Sequence, residues 1–345
     1  MAPRYDAILI VSFGGPEKTE DVIPFLENVL RGKNVPRERM LEVAEHYYHF
    51  GGKSPINGHN RALLAALREL LAARGPQLPV YWGNRNWHPL LPDTLRQMAA
   101  DGVKRALAFV TSAYSSYSGC RQYLEDIARA QQALGPDAPV VEKLRAFYNH
   151  PGFIEVMSDR LRTAFAEVPV ERRAAASLVY TAHSIPVSMA QGCRYEAQLQ
   201  EAARLVSAAV GRSDARVVYQ SRSGPPSQPW LGPDICDCLR ELRSKEGATD
   251  VVVVPIGFLS DHLEVRYDLD TQAHQVAQGI GLHLVRAGTA GAHPRFVEMI
   301  RELVLERVEG SERAALGAEG PSHDVCLEGC CPAPQRPAPA MPARG

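Results

Sequence analysis

The run "ASLVYTAH" (176–183) carries small and β-branched residues straight into His183, and Pro186 then turns the chain away. Further on, "GFLSDHLEVRYDLD" (257–270) offers His262, Glu264, Asp268 and Asp270 within one short segment. A neutral imidazole and a carboxylate make a ligand pair for a divalent first-row metal ion. They also make a proton-accepting pair, since unperturbed histidine titrates at about pH 6.5 and glutamate at about 4.3. Taken singly, each residue has a plainer account. A histidine at a strand end is commonly a hydrogen-bonded structural group, Glu264 at a helix start complements the helix dipole, and carboxylates four apart mark a solvated helix face. Their coincidence at two strand ends is what points to chemistry.

Three loops in the first half supply an opposite wall. "SFGGPE" (12–17) reads as a strand end and glycine turn and contains Phe13; "VLRGKNVP" contains Arg31. "EHYYHFGGKSPING" (45–58) brings Tyr47, Tyr48, Phe50 and Ser54, and "TSAYSSYSGCRQY" (111–123) brings Tyr114, Tyr117 and Tyr123. Each alone is turn chemistry or core packing. Together they predict an aromatic, hydroxyl-rich cleft for a large flat ligand, with Arg31 and Ser54 meeting carboxylates at its rim. "SFGGPE" matches neither glycine-rich phosphate-binding pattern.

The elements that must position these groups follow from the hydrophobic pattern. Short apolar runs at 5–14, 79–84, 105–114 and 139–147 alternate with helical periodicity, and the rhythm repeats at 176–184, 216–222, 250–258 and 281–288. Strands apolar on both faces that alternate with helices imply parallel sheets covered on both sides. The expectation is an α/β chain of two Rossmann-like domains, each a four-stranded parallel sheet flanked by helices, around a central cleft. Residues 1–150 form the first and 151–310 the second, the helix at 293–308 packing on either. Ligands of such sheets bind beyond the carboxyl ends of the strands where strand order reverses. First and third strands are then neighbours about 4.8 Å apart, which lets His183 and Glu264 face one another. Residues 311–345, rich in Gly, Pro and Ala, predict a loose tail apart from what its cysteines tie down.

Composition narrows the class. Apolar residues are 45%, charged residues 22% and the formal net charge is −1, a globular profile with no electrostatic case for nucleic acid. No run approaches the ~20 apolar residues of a membrane span, and no secretion signal is visible, so a cytoplasmic protein is expected. Seven cysteines without such a signal suit a reducing compartment. Cys326, Cys330 and Cys331 in "CLEGCC" suit a soft metal or an iron–sulfur cluster, which wants a fourth ligand.

The motifs "SFGGPE", "FGGKSPIN", "YTAHSIP", "SQPWLGP" and "GFLSDHLEVRYDLD", in this order over about 5–310, resemble those of the ferrochelatases, which insert Fe²⁺ into a porphyrin. The resemblance implies porphyrin and Fe²⁺ as substrates, enzymes of haem synthesis as partners, and His183 with Glu264 as the catalytic pair at the metal. Asp268 resembles the carboxylate that guides the ion inward; Ser54 and Tyr123 resemble porphyrin-contacting residues, and Arg31 a basic residue near a propionate. Phe13 stands where some bacterial relatives carry tyrosine, so that axial ligand is lost, and Gln272 stands where they carry a further glutamate. The motifs look closest to members that turn coproporphyrin III into coprohaem, with protoporphyrin IX as the alternative. Some ferrochelatases hold a [2Fe–2S] cluster on three cysteines near the C-terminus and one internal cysteine, which implies Cys326, Cys330 and Cys331 with Cys120, or with Cys193 in its place. Two other readings remain: a cobalt or nickel chelatase acting on another tetrapyrrole, and a two-domain solute-binding protein.

Overall fold

Among the described residues, eight short strands form two parallel sheets of the same topology. β1 (Ala7–Ser12), β2 (Val80–Asn84), β3 (Arg105–Val110) and β4 (Val140–Lys143) lie in the order β2–β1–β3–β4. β5 (Ser177–His183), β6 (Arg216–Gln220), β7 (Asp250–Val254) and β8 (His283–Arg286) lie in the order β6–β5–β7–β8. β1 and β7 are buried along their whole length, which is why they read as unbroken apolar runs rather than alternating ones. In each sheet the first and third strands pair directly, so the strand order reverses beside β1 and beside β5. This computed structural model describes residues 5–33, 35–214, 216–225 and 227–333.

One apolar cluster joins the two halves, from Leu107 and Phe109 through Phe147, Phe153 and Leu161 to Tyr180 and Val254. The closing helix Pro294–Val308 packs on both: Phe296 meets Phe109 and Phe153, while Arg74 pairs with Glu298 at 2.7 Å and Arg301 donates to the Gly75 carbonyl at 2.6 Å. Arg145, 1% exposed, is held by Glu306 through two hydrogen bonds of 2.7 Å. Such a bidentate pair satisfies a buried guanidinium that would otherwise be costly to dehydrate.

The loose tail is corrected for residues 311–333. Arg145 donates to Ala314 O at 2.7 Å, Asn149 Nδ2 to Leu316 O and Gly320 O, and the Tyr148 hydroxyl to Glu319 at 2.9 Å. The tail buries no core of its own; it docks by offering backbone carbonyls and the Glu319 carboxylate to donors near the end of the first half. Residues 334–345 lie outside the described residues. Among those described, no helix is long and apolar enough to cross a membrane.

Candidate active site

His183 is the last residue of β5, three positions beyond the last β5–β7 pair, Tyr180 and Val254. The chain leaving β7 then folds back on β5: Gly257 N donates to Thr181 O at 3.0 Å. A Cβ at Gly257 would stand 2.6 Å from Ala182 Cα, so only glycine allows this approach. It sets where the following segment begins. Within that segment His262 Nδ1 accepts from Glu264 N at 3.2 Å and caps a short helix, Leu263–Val265. The chain then widens into a π-helix, Arg266–Ala273, a rare form frequent at functional sites.

This arrangement brings His183 Nε2 to 3.8 Å from Glu264 Oε2. The side chains keep 33% and 49% of their surface open, so a ligand in the cleft can reach both. His183 Nδ1 lies 2.5 Å from the Ser184 carbonyl, which must accept its proton. That bond fixes the tautomer and leaves Nε2 as the working nitrogen. Burial disfavours the imidazolium, but the Glu264 carboxylate outweighs it and the His183 pKa is raised. Burial works against the carboxylate as well, yet His183 holds Glu264 well below the usual range. The two form an ion pair.

Asp268 stands behind Glu264, bonded by the Ser221 hydroxyl and, at 3.4 Å, by Gln220 Nε2. Burial, with help from the Glu264 charge, raises its pKa to about 6. Burial lowers the pKa of His262.

The first half forms the facing wall. Tyr47, Phe25 and Phe13 make an edge-to-face chain, with centroids 5.7 Å apart for Phe25–Tyr47 and 6.2 Å for Phe13–Phe25. Burial pushes the Tyr47 hydroxyl up, and the Glu264 charge adds to this. Arg31 is exposed at the rim and joins the β1 end through a chain of donors: Arg31 to Asn28 at 2.5 Å, Asn28 to Asn86 O at 3.3 Å, Asn86 to Phe13 O at 3.2 Å. Two clamps cross the cleft: His46 stacks on Tyr267, and the Arg266 guanidinium lies 5.2 Å from the Phe50 ring.

Other residues sit differently from the open lining expected. Ser54, 3% exposed, backs onto the Gly14–Gly15 turn, where a Cβ on Gly15 would stand 2.8 Å from Ser54 Cβ. Tyr123, 5% exposed, lies in the core under Arg85, whose guanidinium is 4.5 Å from its ring. Tyr114 does not line the cleft: its hydroxyl donates to Ile256 O at 3.0 Å and ties the halves together. Gln220, Ser221, His46 and Tyr267 were not singled out from sequence. "YQSR" directly after an apolar run was the available signal for the first two, since polar residues at a strand's carboxyl end have the same position as His183.

The cysteines converge. Cys120 Sγ and Cys326 Sγ are 4.0 Å apart, Cys330 Sγ and Cys331 Sγ 3.8 Å, and His323 Nε2 lies 3.7 Å from Cys330 Sγ. Cys193 instead donates to Met189 O at 3.3 Å.

A ferrochelatase family profile matches residues 5–308. The chain is 57% identical over 337 residues to a ferrochelatase of Rhodopirellula baltica, covering 97% of this chain and 96% of that one. It is 52% identical to the coproporphyrin III ferrochelatase of Streptomyces coelicolor, with 98% and 96% covered. Among solved structures, SirB from Bacillus subtilis with Fe³⁺ shares the fold, with a TM-score of 0.55 at 13% identity and coverage of 89% and 98%. Sequence likeness over nearly the full length of both chains, on a fold that sets a histidine and carboxylates at the strand ends of its second sheet, leads to one assignment: the chain belongs to the ferrochelatase family.

Proposed function

We propose that this chain inserts Fe²⁺ into coproporphyrin III to give coprohaem, with His183 and Glu264 as the reacting pair. The observation that carries the roles is the 3.8 Å approach of His183 Nε2 to Glu264 Oε2 opposite the Tyr47–Phe25–Phe13 wall. Insertion exchanges one Fe²⁺ for two pyrrole protons. Fe²⁺ approaching Glu264 competes with the imidazolium for the same carboxylate, so the ion pair opens and His183 loses its proton to solvent. Neutral His183 Nε2 then takes the two pyrrole protons in turn, passing the first to solvent before it accepts the second, while the Ser184 carbonyl holds the ring in place. Asp268, one helical step behind, draws the cation inward. Phe13 and Tyr47, backed by the buried Phe25, pack on the macrocycle, and Arg31 meets a carboxylate at the rim. The coproporphyrin III choice rests on relatives at about half identity over nearly the whole chain. Turnover of the purified protein on coproporphyrin III against protoporphyrin IX tests it; preference for protoporphyrin IX refutes that choice while leaving the insertion chemistry.

The four thiols suit a [2Fe–2S] cluster. Iron–thiolate bonds of ~2.3 Å at tetrahedral angles separate two sulfurs by about 3.8 Å, and a cluster needs two such pairs. Cys120 with Cys326, and Cys330 with Cys331, are two pairs at 4.0 and 3.8 Å. Such a cluster adds a one-electron centre and ties the loop at 111–121 to the tail. A single tetrahedral ion is the second reading, because ligand atoms of His323, Cys326 and Cys330 lie within 4.8 Å of one another. Acid-labile sulfide with iron supports the cluster; zinc without sulfide supports the single ion.

A further inference from the structure

Behind the His183–Glu264 pair lie two buried polar atoms without a partner among the described residues: Gln220 Oε1 and Thr181 Oγ1. Their residues are 1% and 0% exposed. An unpartnered buried polar atom is costly, so a native fold keeps one where something fills the need. Both side chains share a sheet face with His183. Thr181 is two residues before it on β5, and Gln220 is its register partner on β6. The orientation of the Gln220 amide is set by its neighbours, because Nε2 sits 3.4 Å from both Glu264 O and Asp268 Oδ2, which only accept. Oε1 must therefore point away from the carboxylates. Reaching from β6 to the segment after β7, the Gln220 side chain passes over β5, which lies between them.

Next to it, Ser221 adopts φ +61°, a left-handed conformation that few residues with a Cβ take, and its hydroxyl bonds Asp268. Strain of this kind persists where surrounding structure holds it, and it recurs at functional sites. Gln220 and Ser221 thus both serve one carboxylate.

We infer that a buried water bridges Thr181 Oγ1 and Gln220 Oε1, and that Gln220, held by it, is the positioning residue that fixes Asp268 and the Glu264 backbone for cation delivery. The inference rests on the metal-handling roles proposed above. The Thr181 hydroxyl donates to the water, the water donates to Gln220 Oε1, and Gln220 Nε2 donates to Asp268 and to Glu264 O. The water satisfies both orphaned atoms, the task buried waters commonly perform. Removing it frees the amide to turn, and Asp268 keeps the Ser221 hydroxyl but loses the Gln220 donor.

The test is a crystal structure of the unaltered protein together with Fe²⁺ saturation kinetics of Thr181→Val, Thr181→Ser and Gln220→Leu at saturating porphyrin. Ordered density between the two oxygens is expected. Gln220→Leu should raise KM for Fe²⁺ by about tenfold, the factor for one hydrogen bond to a charged group, with KM for porphyrin unchanged. Thr181→Val should shift it in the same direction, and Thr181→Ser, which keeps the hydroxyl, should restore it. An empty gap, or variants that lose thermal stability with KM for Fe²⁺ unmoved, overturns the inference. Loss of insertion by the unaltered protein would instead count against the parent assignment.

Discussion

The imidazole of His46 lies flat on the Tyr267 ring, with centroids 3.7 Å apart and planes 14° from parallel. The two residues belong to opposite walls of the cleft, on the helix Arg37–His49 and on the π-helix Arg266–Ala273 that carries Asp268. The stack therefore ties the helix Arg37–His49 to the segment that carries Asp268. Aromatic stacking is worth about 0.5–1.5 kcal/mol beyond burial. Tyr267→Ala should loosen this tie and weaken porphyrin affinity by about three- to tenfold, read by fluorescence titration. Unaltered affinity would show that the contact does not shape the cleft.

Acid should slow insertion. Asp268, with its pKa raised to about 6, loses its charge as pH falls through that value and no longer attracts Fe²⁺. The raised pKa of His183 leaves it protonated over the same range, where it cannot accept a pyrrole proton. Both effects have one sign: kcat/KM for Fe²⁺ climbs with pH through the neutral range and then levels off. Asp268→Asn should remove the lower step and lower the plateau. A rate rising towards acid would contradict both assignments.

The cysteine site makes a spectroscopic prediction. Protein purified without oxygen should absorb in the visible as iron–sulfur proteins do, and Cys120→Ser should abolish that absorption. Cys193→Ser should leave it intact, because the Cys193 thiol is engaged with Met189 O.

Glu306 should matter for stability and little for chemistry. It neutralises the fully buried Arg145 guanidinium. Removing one partner of a buried pair costs about 3–5 kcal/mol. Glu306→Ala should show that loss in denaturant unfolding, and a change under 1 kcal/mol (about the value of an exposed pair) would mean Arg145 finds another partner.

Much of the layout was legible before any coordinates. The two-sheet order follows from apolar runs that do not alternate, and the meeting of His183 with residue 264 follows from first and third strands being neighbours. What escaped detection depended on tertiary context. A tyrosine in a glycine-rich loop reads alike whether it lines a cleft or is buried, and only the path of the chain sends the Tyr114 hydroxyl to Ile256 O. The tail misled for the same reason. Its few large apolar side chains (Leu316, Val325 and Leu327) stay exposed, and it docks largely through backbone carbonyls that every residue carries, onto Arg145 and Asn149. His46 and Tyr267 are far apart in sequence and belong to no recognisable spacing, so nothing local announced their stack.

The central claim is that His183 does the proton chemistry at a cleft that other residues build. The most direct test is insertion by His183→Ala, measured beside porphyrin binding by fluorescence. The account predicts that turnover disappears while porphyrin affinity stays close to that of the unaltered protein. Near-normal turnover in that variant would contradict it.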